Sequence, residues 1–566
     1  MSADDVQTLV ERAQAVEPDF TLDAGNAETI AALCRRLEGL PLAIELAAGR
    51  LSLLSPAVLL RRLERRLPLL TGGAADLPER QQTLRAMLAW SYDLLGPAEQ
   101  VLFRRLAVFA GGWTLEAAEF VCADAALSAE QVLDGLAVLV DSSLVRPLND
   151  AEVEPRFSML ETMREFALDL LQTSGELEVL HARHAAYLLQ MAGQVITALK
   201  DSGHTDAIVG LGRERDNLRA ALAWLASLGD QQPALRLAAA AAWVWMAEGQ
   251  VAEGREQLTR LLALTPEPTP ARATALLSAA MLAWGQGDYQ MQERLARESL
   301  AIAQAEGLPE ETAEALSTLG AAAFQRGEYD TARGLLVESL DRFRGLGQRL
   351  GIGWALMRLA SVARDQGQFA EAERLYEEAL ALRRAAGDRT GVAHILSNLS
   401  WLALYAGAHA RARTLQEESL VIRREGGDRR EVAMSLIVLA RIALAQGART
   451  AAWAPLQEGI DLCRAIGDRW AIALALEALA GLIAMNQPAS ALRLAGAAAT
   501  LRAAIGRPMP APERPIVEAW LEPAWRALGE AATAAWAAGA SMPLDSIAQQ
   551  LLIEFDTAAA CPPRSP

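Results

Sequence analysis

Lysine is almost missing from this sequence: Lys200 stands alone among 53 basic residues, and the rest are arginine. A phosphate-binding Walker A loop needs Gly-x-x-x-x-Gly-Lys-[Ser/Thr], with the lysine reaching the β- and γ-phosphates. Lys200 lies in Ile-Thr-Ala-Leu-Lys-Asp with no glycine before it, so these residues cannot form that loop. Cysteine is scarce as well. Cys34, Cys122, Cys463 and Cys561 stand far apart, without metal or redox spacing, and read as three small core residues and a tail thiol. Long apolar runs are absent, since the strongest, Leu237 to Ala247, is too short to span a bilayer. The acidic start Met-Ser-Ala-Asp-Asp has no signal-peptide core, which predicts a soluble, cytoplasmic protein without membrane contact. Excess positive charge is lacking too. Against 70 acidic residues the net charge is -17, which repels phosphate backbones and anionic lipid.

Sites for chemistry are equally thin. His181 and His184 sit three apart on a helix, but no acidic or cysteine cluster completes a metal site, so a partly exposed pair is expected. Serine, histidine and aspartate show no nucleophile-elbow pattern. No catalytic residue, metal or cofactor is assigned from the residues, and no enzyme is expected.

What is present is a period. Gly287, Gly327, Gly367, Gly407 and Gly447 stand forty residues apart. Glu298, Glu338, Glu378, Glu418 and Glu458 follow at a fixed offset, then Gly307, Gly347, Gly387, Gly427 and Gly467, then Leu316, Leu356, Leu396, Leu436 and Leu476. Such a period marks a solenoid whose units bury their apolar faces against neighbours. Each unit reads as two antiparallel helices turning at the first glycine. The second glycine ends helix B in a left-handed conformation, and Asp388, Asp428 and Asp468 cap the next helix A. Small residues at Gly320, Ala332, Ala360 and Ala372 let helices approach closely. Gly249 opens an irregular unit at one end, and Gln487-Pro488 replaces the glycine at the other. The units resemble the tetratricopeptide repeat in a form of about forty residues.

That resemblance implies a groove lined by helix A, at Trp284, Phe324, Trp354, Met357, Arg364, His394, Ser397, Trp401 and Arg441. Aromatics among arginines suit a protein, a peptide or an acidic, partly apolar ligand. Trp284, Trp354 and Trp401 also read as inter-repeat packing. The recurring glutamate reads as a structural partner for the adjacent repeat.

Before the repeats, residues 24–70 read as three helices, and 83–165 as helices followed by a hairpin. Thr114 caps one helix, and Ser128 with Gln131 forms a capping box for another. Leu144–Leu148 and Arg156–Leu160 read as strands joined at Asn149-Asp150, which makes a winged-helix arrangement. Its candidate recognition helix, Ala129 to Val140, has two acidic residues and no arginine or lysine, so DNA binding by this chain is disfavoured.

The run Cys34-Arg-Arg-Leu-Glu-Gly-Leu-Pro-Leu-Ala-Ile-Glu-Leu-Ala-Ala48 resembles the GLPL motif of NB-ARC-type signal-transduction ATPases. Trp90-Ser-Tyr-Asp-Leu94, Phe103-Arg-Arg-Leu-Ala-Val-Phe109, Leu160-Glu-Thr-Met-Arg-Glu-Phe-Ala167 and the closing Trp536–Asp545 resemble bacterial regulators joining that ATPase to a winged helix and tetratricopeptide repeats. The resemblance implies a nucleotide contact at Gly39, Leu40 and Pro41. The family's Met-His-Asp motif is matched by Met159-Leu160-Glu161, and leucine cannot donate the hydrogen bond its histidine makes. ADP or ATP is therefore expected only together with a P-loop half outside these residues.

The predicted architecture is all-α. It has an NB-ARC-like helical remnant at 1–75, a winged helix at 76–170 and a helical connector at 171–235. A tetratricopeptide superhelix follows at 236–500, with a helical cap and tail at 501–566. The predicted function is non-catalytic signal transduction through the groove. The alternative is the C-terminal part of a nucleotide-switched transcriptional regulator whose P-loop is encoded upstream.

Overall fold

A computed structural model describes residues 84–148, 155–201, 206–466 and 468–543. It also describes short stretches before them (3–16, 20, 22–23, 26–36, 47–48, 51 and 54–62). The Gly39-Leu40-Pro41 motif, the Asn149-Asp150 turn, Gly467 and Cys561 lie outside the described residues. The described residues are helical almost throughout, and the chain forms two compact units, residues 1–190 with 214–224 and residues 191–213 with 225–566. Among the described residues no helix is long and apolar enough to cross a membrane.

The first unit contains the winged helix. Helices Pro97–Leu106, Leu115–Cys122 and Ala129–Asp141 pack beside a three-stranded antiparallel sheet. Its strands are β1 (Trp113–Thr114), β2 (Arg146–Leu148) and β3 (Arg156–Ser158), in the order β1-β3-β2. Trp113 pairs with Phe157, and Arg146 with Ser158. Thr114 accepts from the Ala117 N–H, and the Ser128–Gln131 capping box is complete, so both helices start where the side chains satisfy free backbone donors. The two-residue β1 carried no alternation to read. The fully buried Trp113 holds it in place, its ring stacked 5.4 Å from Phe109.

His184 corrects the expectation of a partly exposed histidine pair. It is 1% exposed, edge-on to Phe109 and 3.2 Å from Asn217 Oδ1. Asn217 in turn accepts from the Ala110 N–H and donates to the Gly112 carbonyl, binding helix Arg215–Ser227 to the turn before β1. Burial lowers the His184 pKa to about 4, against the hydrogen bond the ring donates to Asn217 Oδ1, which favours the charged form. His181 stacks on Trp224 instead.

The second unit is the superhelix. Each first glycine, from Gly287 to Gly447, has φ between 74° and 77°, and Gly307, Gly347, Gly387 and Gly427 lie between 66° and 72°. These are left-handed turns where a side chain would be strained. Asp388 accepts from the Gly391 N–H, Asp428 from Glu431 and Asp468 from Trp470 and Ala471, as their spacing predicts. A Cβ on Gly320 would lie 2.7 Å from Leu336, so close helix packing there requires glycine.

Two further ladders run through the repeats. Ser299, Ser339 and Ser419 donate to the carbonyls of Ala273, Ala313 and Ala393, tying helix B to helix A inside the core. On the outer surface Arg344, Arg384 and Arg424 reach Glu378, Glu418 and Glu458 of the following helix B. Those recurring glutamates are structural partners.

Candidate functional site: the concave wall of the repeats

The predicted groove residues all lie on helix A of their units, where equivalent positions stand forty residues apart. The structure sorts the groove residues into two clusters. In one, the half-buried Trp354 lies under the Arg383 guanidinium at 4.5 Å and beside His394 at 5.7 Å. Arg358 approaches the same ring at 5.9 Å. His394 Nδ1 is 3.6 Å from Glu431 and 3.4 Å from Arg423. Burial pushes its pKa down, with Glu431 opposing and Arg423 adding to the shift. Met357 packs against the adjoining apolar core, and Ser397 is buried.

The second cluster is larger. Phe324 and Tyr329, with ring centroids 6.1 Å apart, face Arg364, Asp365, Asn398, Trp401 and Tyr405 across a cavity of about 80 Å³. Arg364 is buried, its Nε 2.7 Å from Asp365 and its Nη1 2.9 Å from Asn398. Burial alone would lower the Arg364 pKa, but the Asp365 carboxylate beside it holds it above the ordinary arginine value. Burial, with Asp365 adding, pushes the Tyr329 hydroxyl up to about 12. Trp284, on the first regular repeat, lies 4.8 Å from the Arg430 guanidinium of the fifth, so the A helices of these two repeats approach each other.

Arg441 is the main correction. It stands on helix A forty residues after Trp401, yet it is 1% exposed and not open to a ligand. Its guanidinium sits between Trp401 at 5.4 Å and Trp520 at 5.0 Å. It pairs with Glu477 at 2.9 Å and with Glu513, and Arg502 pairs with Glu477 at 2.5 Å and Glu513 at 3.0 Å. Two arginines and two glutamates thus close a buried, neutral ring of charges. Burial opposes ionisation of Glu477, but Arg502 and Arg441 hold its carboxyl below the usual range.

Trp470, Trp520, Arg502, Glu477 and Glu513 complete this cluster and were not foreseen. Asp365 and Tyr405 could have been, because they occupy one column with Gln325, immediately after Phe324 and Arg364. Glu513 and Trp520 lie beyond the periodic region and left no such trace.

Helix Ala129–Asp141 of the winged helix turns Glu130, Asp134 and Asp141 to solvent, with Leu133 at 50% and Val138 at 41% exposure. It offers no cation to a phosphate. Among the described residues no group of histidine, cysteine and carboxylate is arranged to hold a metal ion.

Comparison with known proteins fits this layout. Residues 311–385 and 351–425 match the family described as Tetratricopeptide repeat, and residues 95–172 match Winged helix-turn-helix domain. Residues 411–486 match the family described as Anaphase-promoting complex subunit 5. A Mycobacterium tuberculosis protein named "Putative HTH-type transcriptional regulator" is 39% identical over 330 residues, which is 56% of this chain and 36% of that protein. An uncharacterised protein of the same organism is 40% identical over 199 residues, 35% of this chain and 50% of that one. The chain therefore spans between about a third and half of the length of these relatives.

Among solved structures, a Pyrococcus horikoshii signal-transduction ATPase with numerous domains and a tetratricopeptide repeat sensor is 15% identical. It covers 97% of this chain and 74% of its own, with a TM-score of 0.46. A Rap protein complexed with competence and sporulation factor is 11% identical and covers 65% of this chain and 99% of its own, at a TM-score of 0.48.

Proposed function

We propose that this chain is a non-catalytic signal-transduction protein that recognises an extended stretch of protein or peptide along the concave wall of its repeats. The observation that carries this reading is the seat formed by Phe324, Trp401, Tyr405 and Trp470, with charge-paired arginines around it. Flat rings grip proline and other apolar residues, and guanidinium groups take carboxylates in a fixed, two-pronged geometry. The relatives named as transcriptional regulators support a regulatory role for the whole.

In this reading the winged helix is an internal relay and does not read DNA. Its outward helix offers carboxylates and apolar side chains where a major-groove reader needs cations and donors to guanine. A mobility-shift measurement at physiological salt should show no complex with a pool of short duplexes. A shift competed by a single sequence would defeat the relay.

The groove itself is tested by fluorescence anisotropy with proline-containing acidic peptides on the full chain and on Trp401→Ala. Affinity should fall at least tenfold, on the order of 1.4 kcal/mol. An unchanged affinity in a folded variant would move the binding surface elsewhere.

A further inference from the structure

After the last helix of the repeats, which ends at Ala504, the chain turns at Gly506 (φ 67°) and crosses the concave wall. Residues 507–510 form neither helix nor strand. The Arg507 guanidinium lies 3.6 Å from the centre of the Trp470 ring. Pro508 Cγ lies 3.0 Å from where a side chain on Gly327 would begin, so that turn glycine leaves the space the proline occupies. Pro510 borders the same cavity as Trp401 and Tyr405, and Glu513 ends the stretch on Arg441 and Arg502. Arg507 rests on an aromatic ring, Pro508 on a turn glycine, Pro510 at the edge of the aromatic-lined cavity and the Glu513 carboxylate on two guanidinium groups.

The backbone hydrogen bonds of this stretch are local, from Arg507 to Arg502 at one end and within 510–517 at the other, where Glu513 leads into the next helix. The space left in front of it, about 80 Å³, has room for a few waters but not for a peptide. Behind it lies a second cavity of about 410 Å³, lined by Ala495, Ala499, Ala503, Met509 and Trp536 among others. The stretch is a thin partition between two spaces, with room to withdraw.

We propose that Arg507–Glu513 is an internal placeholder. The groove's partner is an extended peptide with prolines at alternate positions followed by a carboxylate, and it binds by displacing this segment. The proposal rests on the reading of the groove as a peptide site and adds its occupant and its competitor.

The probe is a fluorescein-labelled peptide of residues 506–515, titrated into the full chain and into the double variant Arg507→Ala with Pro508→Gly. These changes remove the Arg507–Trp470 contact and keep every partner of the Arg441, Arg502, Glu477 and Glu513 ion pairs. The variant should bind at least tenfold more tightly than the unmodified chain, and a probe carrying Glu513→Gln should bind at least fivefold less tightly. Equal binding by variant and unmodified chain would refute the placeholder and leave peptide recognition standing.

Opening is read separately by the alkylation rate of the thiol introduced by Met509→Cys. A loosened chain in which that thiol reacts freely but no probe binds would remove the peptide reading, and the proposal with it. If the double variant does not fold, the Met509→Cys chain alone decides. Saturating unlabelled peptide should accelerate alkylation several-fold, and an unchanged rate would overturn the proposal.

Discussion

Between the rings of Trp401 and Trp520 the Arg441 guanidinium is out of reach of water, and its charge is balanced only by Glu477 and Glu513. Removing Arg441 leaves two buried carboxylates sharing Arg502, with one negative charge uncompensated, which costs more than the pair itself contributes. Arg441→Ala should therefore destabilise the repeats by about 3–5 kcal/mol in urea unfolding. An effect below about 1 kcal/mol would mean that the network is solvated or able to rearrange. His184 gives a second prediction at this scale. Its folded pKa of about 4 lies below the ordinary 6.5, so the unfolded chain takes up the proton first. The contribution of the neutral ring is fully present above pH 6.5 and is lost as the pH falls to about 4, by about 3 kcal/mol in all. Hydrogen exchange in helix Pro97–Leu106 should speed up across that window, and His184→Gln should flatten the dependence.

The helices of the repeats carry two kinds of ladder with different worth. The serine ladder is buried, so Ser339→Ala should cost about 1 kcal/mol by removing the hydroxyl's bond to the Ala313 carbonyl, the tie between the two helices. The arginine–glutamate ladder on the outer surface is half-exposed and screened by salt. Arg384→Ala, which removes the contact to Glu418, should cost less than about 0.5 kcal/mol and nothing measurable in high salt. Urea unfolding of the two variants side by side checks the order, and a reversed order would mean that surface charge holds the repeats in register. Helix ends were legible because caps act over three or four residues: Asp388, Asp428, Ser128 and Thr114 all stand where their side chains meet free N–H groups. The strand β1 was not legible. Its two residues show no periodicity, and their pairing with Phe157 and Arg156 spans a long stretch of chain.

Across the whole molecule the excess of acidic residues sets the behaviour in acid. Burial opposes ionisation of Glu431, yet Arg423, His394 and Arg430 hold its pKa near 2, below the ordinary carboxylate value. Its contribution is complete above about pH 4.5 and fades as the pH falls towards 2, and the lowered Glu477 acts in the same direction. The melting temperature of the repeats should drop through that range, and Glu431→Gln should lower it at neutral pH while reducing its slope in acid.

The forty-residue period, the turns at Gly287 to Gly447 and the helix caps are written in the sequence, because each depends on neighbours within a turn or on the next identical unit. The columns of the wall follow from the same period, so Trp401 and Arg441 could be placed on it by counting. Whether those side chains are free could not be counted. Arg441 meets Glu513 across 72 residues, from a segment outside the repeat, and that pairing exists only once the superhelix has closed on Arg507–Glu513. Burial and charge pairing belong to the packed chain. Tertiary structure alone turned a predicted open groove into one already filled.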